Sequence, residues 1–413
     1  MSAASRFQSI GVGIHVSTSD FSTMPSTSPV IPRAFVPSVL PRRRDPIERG
    51  TLPAINGQRF ANLRGAKNLS PIELPLHWKG ANAYTGGAVT DWEARLEQGR
   101  ILAALFGAVA PATTGTAATA SGTAGATLTA SSGTGYANGD VIMFTTTTGV
   151  FIRRITSGGG TTTFTLNQAA SGTASGSIIR LARYTQTPGV SQHLHLAVDA
   201  ESVIDGAGAA RRQYLGCMAS KGVLTIPNTG LCEFDVTLLP TDWQRVAPNA
   251  SPTFADATYG DYIAVSGYEF MLGANKLDAR NLKLTVDNAG EMRPTGAGPN
   301  GVRGGVAAAT GPKVAMLEGE IFLGASVPGQ ELQDNAGTPT ARDLLGDAAA
   351  IGALAGTQDL MLSVPGTGVG GASMGIFMPA ADVVAEVVQG GNFNVLKFTA
   401  YGSGATPLVL ALC

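Results

Sequence analysis

An internal repeat constrains this chain more than any other feature. Asn56-Gly57-Gln58-Arg59 recurs as Asn300-Gly301-Val302-Arg303. Each copy is followed by a loop containing Gly or Ala. A strand-type segment with an acidic residue comes next, bearing Glu73 in the first copy and Glu318 or Glu320 in the second. Each segment then leads to a stretch that opens on Thr and closes on Gly, 90–107 and 340–356, and more strand-type segments follow. A shared order of elements within one chain means that one supersecondary plan is used twice. Setting aside an interrupting stretch at 110–187, each copy comes to roughly 165 residues, an ordinary domain size.

The elements themselves are read from periodicity. Ile72, Leu74, Leu76 and Trp78 alternate, which predicts a half-buried strand. The stretch 90–107 opens with a capping box from Thr90 to Glu93, in which the hydroxyl accepts from a first-turn N–H and the carboxylate reaches back. Trp92, Leu96, Gly99, Ala103 and Phe106 predict one apolar helical face, and Gly107 a left-handed C-terminal cap. A second helix is expected over 340–356. Segments near 141–145, 149–156, 161–167 and 177–184 alternate between Gly-rich turns, so 110–187 reads as an inserted all-β module. Most of the remaining apolar segments up to Cys413 read as strands. Residues 1–50 are polar, with Pro37, Pro41 and Pro46 breaking any helical run, and read as an extended arm. The expected layout is mainly β with a few helices. It has an arm at 1–50, a first domain of 51–109 with 188–250, the insert at 110–187, and a second domain at 251–413.

Chemistry-bearing motifs are sparse. His193 and His195 alternate on one strand face but meet no second ligand pair at metal spacing. The Gly-rich runs at 298–305 and 366–371 lack the strand-loop-helix setting and the Lys-Ser/Thr of a phosphate loop. Cys217, Cys232 and Cys413 are an odd set without metal spacing, read as reduced thiols, with a Cys217–Cys232 bridge as the alternative. No catalytic constellation, cofactor or metal is therefore expected. A net charge of −1 argues against a nucleic-acid binder, which needs a basic surface to displace counterions. The apolar stretches fall short of the roughly 20 residues that span a bilayer. The first twenty residues lack a basic region followed by an apolar core, so no signal peptide is expected. Only 14% of residues are charged, against about a quarter in ordinary soluble proteins, which suits a surface covered largely by copies of itself.

The segments TLPAINGQRFANLRGAKNLSPIELPLHW, RLEQGRILAALFGA and DARNLKLTVDNAGEMRPTGAGPNGVRGGVAAATGPKVAMLEGEIFL resemble the major tail tube proteins of long-tailed bacteriophages. The resemblance covers most of 50–109 and 188–413 and lies in element order and Gly/Leu placement. It implies two tandem tail-tube-type β-barrel or sandwich domains, with 110–187 similar to an outer decoration. Its further implication is a virion protein, made in the bacterial cytoplasm, that stacks into a tube. A tandem-domain member implies homotrimeric, pseudo-hexameric rings, with a homohexamer as the alternative. Expected partners are other tail proteins (tape measure, terminator, distal tail) and phage DNA passing through the lumen without specific binding; no membrane is expected. Arg42, Arg43 and Arg44 are expected to form an inter-subunit arm, and Asn300, Gly301 and Arg303 an inter-ring loop. The other readings are a baseplate or distal tail protein of the same fold, a capsid or decoration protein, and a secreted adhesin or carbohydrate-active β-protein.

Overall fold

A computed structural model describes residues 7–15, 46–47, 63–64, 71–78, 80, 98–110, 118–186, 193–200, 210–246, 262–273, 275–297, 303–309, 313–322, 358–366, 372–387 and 395–413. The protein is mainly β, with one helix among the described residues. The early strands are β1 (Phe7–His15), β2 (Pro46–Ile47), β3 (Leu63–Arg64) and β4 (Ile72–His77). After them come helix α1 (Gly99–Phe106) and β5 (Gly107–Ala110). Six strands then form a separate body: β6 (Ala118–Ala124), β7 (Thr127–Ala130), β8 (Val141–Thr146), β9 (Gly149–Ser157), β10 (Thr163–Leu166) and β11 (Ala174–Arg180). The chain returns through β12 (Ala182–Gln186), β13 (His193–Ala200), the 17-residue β14 (Ala210–Ile226), β15 (Gly230–Leu231), β16 (Glu233–Leu239) and β17 (Asp242–Val246). Next are β18 (Ala264–Val265), β19 (Glu269–Leu272), β20 (Asn275–Leu277), β21 (Ala279–Asp287), β22 (Gly290–Ala297) and β23 (Arg303–Ala309). The last five are β24 (Val314–Phe322), β25 (Gln358–Val364), β26 (Met374–Val387), β27 (Val395–Gly402) and β28 (Val409–Leu412).

Sixteen of these strands make one antiparallel sheet. Its pairings fall into two units of identical plan. In the first the spatial order is β1-β13-β14-β16-β4, and in the second β19-β25-β26-β27-β24. Numbered along the chain within each unit, both orders read 1-3-4-5-2. The correspondence extends to a sixth strand, because β17 pairs β14 as β28 pairs β26. Each long strand is thus flanked on one side by two successive short ones, β17 and β16 for β14, β28 and β27 for β26. The two Asn-Gly-x-Arg motifs also sit alike. The first lies between the antiparallel strands β2 and β3, the second between β22 and β23.

Strand alternation builds the core. Ile72, Leu74, Leu76 and Trp78 are all buried, as their spacing predicts. Their face continues through Phe234, Val236 and Leu238 of β16 and Leu282, Leu284 and Val286 of β21. Full burial of such a side chain contributes on the order of 1.5–3 kcal/mol. Trp78 meets the Phe234 ring edge-on at 4.7 Å.

Helix α1 lies on this face. Gly107 ends it at φ 92° with its N–H donating to Ala103 O, the left-handed cap that glycine tolerates. The expected apolar face is too narrow: Ile101, Leu102, Ala104 and Leu105 are buried as well as Ala103 and Phe106. The helix contacts β14 on one side and β12, β5, β1 and β13 around it, so no flank is left for solvent. Asn288, fully buried, donates from Nδ2 to Leu105 O and Ala219 O, tying the end of α1 to β14. Residues 90–97, with the capping box, and the expected helix at 340–356 lie outside the described residues.

Two segments differ from the sequence reading. Phe7–His15, within the stretch read as an arm, is a strand paired along β13. The prolines that argued for an arm begin only at Pro25, while Ile10, Val12 and Ile14 ahead of them alternate. The strands read in 110–187 are present, but the separate body is narrower, Ala118–Arg180. It is a closed barrel in the order β10-β7-β6-β11-β8-β9. Leu128, Phe144, Ile155, Phe164 and Ile178 fill it, and the Tyr136 hydroxyl donates to Ile178 O at 3.2 Å. The strands on either side of it, β5 and β12, pair with each other and belong to the large sheet.

Candidate assembly surfaces

Three features of the sheet bear on what the molecule can join. The first is the junction between the two units. β21 lies between β14 of the first unit and β24 of the second, pairing Lys221–Ile226 on one flank and the whole of β24 on the other. The matching stretch of the second unit, Asp382–Val387 of β26, has β27 on one flank and no strand on the other among the described residues. Likewise β4, the counterpart of β24, pairs β16 and has no second neighbour among the described residues. The two ends of the sheet therefore carry the two halves of a junction that the chain completes once in its middle. Free strand edges are templates for pairing with another strand.

The second feature is the polar face of the same strands. Residues opposite each other in register share a face, and here they form rows. One row runs Val384, Thr399, Glu318, Lys283, Thr225, Glu233. The next runs Asp382, Tyr401, Met316, Thr285, Val223, Asp235, Pro75. Arg280 Nε donates to Glu320 Oε2 at 2.9 Å, and Asn281 Nδ2 to the same oxygen at 3.1 Å. Described carboxylates on this face are Glu73, Glu233, Asp235, Asp287, Glu318, Glu320 and Asp382. The described cations are fewer: Lys221, Arg280, Lys283 and Lys397. The acidic excess is strongest beside β4, where burial and the neighbouring charges of Glu233 and Glu73 hold the Asp235 carboxyl above its ordinary value.

The third feature is the seat of the barrel. Its strands β8 and β9 rest on the outer side of the second unit. Val141, Met143, Ile152 and Leu181 pack against Met271, Met361, Phe377 and Val409. At the centre Arg153 is fully buried. Its Nη1 lies 2.8 Å from Glu269 Oε2 and donates to Ile152 O, its Nη2 donates to Ala169 O, and the guanidinium stands 4.9 Å from the Phe151 ring. Asn167 Nδ2 donates to Asp359 Oδ2 at 3.2 Å, Arg154 lies 3.6 Å from that carboxylate, and Gln168 Nε2 donates to Gly273 O. Burial raises the Asp359 carboxyl, with Arg154 and Asn167 opposing it. On the stalk side, Asp140 is shared between Arg180 and Arg183 at 3.1 and 3.6 Å.

Of the sites read from sequence, Arg42, Arg43, Arg44, Asn300 and Gly301 lie outside the described residues. Arg303 opens β23 opposite Ala297, which places the Asn-Gly-Val-Arg loop at the tip of the β22–β23 hairpin. Cys217, Cys232 and Cys413 are free and buried, and no bridge joins the first two. Burial pushes the Cys232 thiol up to about 12, Cys413 to about 11 and Cys217 higher still, so all are inert at neutral pH. Sequence reasoning missed Arg153. Its one signal was a charge inside the alternating apolar run Val150-Phe151-Ile152-Arg153-Arg154-Ile155.

Among the described residues no group of three or more His, Cys, Asp or Glu is placed to hold a metal ion. No described helix is long and apolar enough to cross a membrane. The concavity lined by Asn228, Tyr268, Asp278 and Arg280 is shallow and open. No protein-family model matches the chain, and no curated protein matches it.

Proposed function

We propose that this chain is a self-assembling ring subunit, the major tail tube protein of a long-tailed bacteriophage. One observation carries the reading: a duplicated sheet unit whose in-chain junction is left half-made at both ends. If the β14-β21-β24 arrangement is repeated between copies, β26 of one copy faces β4 of the next across one intervening strand. The repeat supplies a source for that strand. Asp287 ends β21 thirteen residues before Asn300, and thirteen residues before Asn56 is Arg43. The segment with Arg42, Arg43 and Arg44 therefore takes the place of β21 between copies. Head-to-tail contacts of this kind close into rings when the rotation per copy allows it. Three copies give six units, the trimeric pseudo-hexamer, and closure removes the free edges.

The polar face supports the same reading. With the apolar face covered by α1, the acidic-excess face turns to the lumen, where it repels DNA phosphates and leaves the polymer free to slide. In this reading the protein performs no catalysis, and the β22–β23 hairpin reaches the neighbouring ring.

Negative-stain imaging of the concentrated protein tests this. Hollow rings or tubes of one diameter are expected, and a monomer that persists at high concentration overturns it. Long stacks mark a tube subunit, whereas isolated single rings mark a baseplate or distal tail part. Reversing Arg42, Arg43 and Arg44 to Glu is expected to abolish rings while leaving the circular dichroism spectrum unchanged. A deletion test has to spare β1, which belongs to the sheet.

A further inference from the structure

The insert is carried by one unit and seated on the other. Its entry and exit strands, β5 and β12, follow α1 of the first unit, whereas its outer wall rests on β19, β25, β26 and β28 of the second. β12 itself pairs β28 of the second unit. A module hung on the outside for display needs only its two covalent connections. This one has a fully buried arginine, an apolar seat and hydrogen bonds from Asn167 and Gln168 directed at the second unit. Gly375 shows how closely the surfaces meet. A Cβ there would lie 3.0 Å from Ile152 Cγ2 of the barrel and 2.7 Å from Phe377. A buried ion pair adds little net stability but punishes misplacement, because either partner alone is left uncompensated.

We infer that the inserted barrel is an intramolecular brace that fixes the angle between the two sheet units. This inference rests on the ring reading for its consequence: the angle at the in-chain junction sets the curvature, and so the number of copies that close. Twisted sheets bend readily along their strand pairings. A rigid body bridging the two units outside that pairing removes the freedom.

Two variants test it. In one, residues 111–182 are replaced by Asn-Gly, a two-residue hairpin turn that joins Ala110 to its register partner Arg183. In the other the barrel is kept but unseated by Arg153→Met, Asn167→Ala and Gln168→Ala, which guards against the apolar seat causing aggregation in the first. Spin labels at Glu233→Cys and Lys397→Cys, one on each unit and four strand spacings (about 19 Å) apart, report the angle in the dilute chain. The three native thiols are too buried to label. A narrow distance distribution in the parent and a broadened one in both variants is expected. By imaging, the parent forms one ring class, and the variants form open arcs or rings of mixed copy number. An unchanged distribution in the unseated variant overturns the brace, as does a single ring class of parental diameter. If the parent itself forms no rings, the ring reading fails and the label distances alone decide the brace.

Discussion

The barrel and the large sheet solve the same problem in opposite ways. Both are antiparallel, built from short strands with small polar turns. The six-stranded barrel closes on itself, so each strand has two neighbours and its core is complete. The sixteen-stranded sheet stays open, with β4 and the end of β26 each paired on one flank only among the described residues. Closure makes a body that can be moved as a block. Openness makes one that is finished only by another chain. The barrel therefore serves the fold as a rigid part, while the sheet carries the capacity to assemble.

The sharpest way to separate the two is to hollow out the barrel. Phe164→Ala removes a fully buried ring and is expected to cost about 3–5 kcal/mol. Hydrogen exchange should then rise in β6–β11 and stay unchanged in β14 and β21. Equal loss of protection in β14 would mean that the barrel is not a separate folding body. Arg153→Met acts at the seat, leaving Glu269 without its partner, at a cost of roughly 2–3 kcal/mol. Chemical denaturation should show the barrel detaching while its own core stays protected. Gly375→Ala crowds the seat from the sheet side and is expected to cost about 1–3 kcal/mol, because Phe377 and Ile152 must both shift. Ile152→Ala in the same chain should relieve part of that cost, a coupling that a double-mutant cycle reads directly.

The smallest effect is electrostatic. The folded state raises the Asp235 carboxyl above its ordinary value of 3.8, so it holds the proton more tightly than the unfolded chain does. Its contribution to stability therefore grows as pH falls through the folded value towards 3.8, and is unfavourable above. Asp235→Asn should flatten that part of the stability profile, and Glu73→Gln should lower the Asp235 titration midpoint seen by NMR.

How much of this was legible in the sequence depended on range. The β4 alternation, the strands of the barrel and the Gly107 cap were readable because each is a local pattern. The repeat was readable from four residues, since a tight motif survives where the surrounding strands have diverged. The 1-3-4-5-2 order was not, because strand pairing is decided by contacts far apart in the chain. For the same reason 210–226 read as strand-type without showing that one long strand serves β13, β16, β17 and β21. Arg153 was hidden differently. A charge in an apolar run looks like a solvated outer position until its partner, 116 residues away, is in view.

Placing β21 between two units of one chain also bears on how fast a ring can form. Bringing two free bodies together costs translational and rotational freedom, an estimated 4–15 kcal/mol at standard concentration. A covalent link replaces that encounter by an intramolecular one at high effective concentration. In a ring of three such chains every second contact is already made at synthesis. Nucleation then has a lower kinetic order in protein than a ring of single-unit chains, and dilution can attack only half of its contacts.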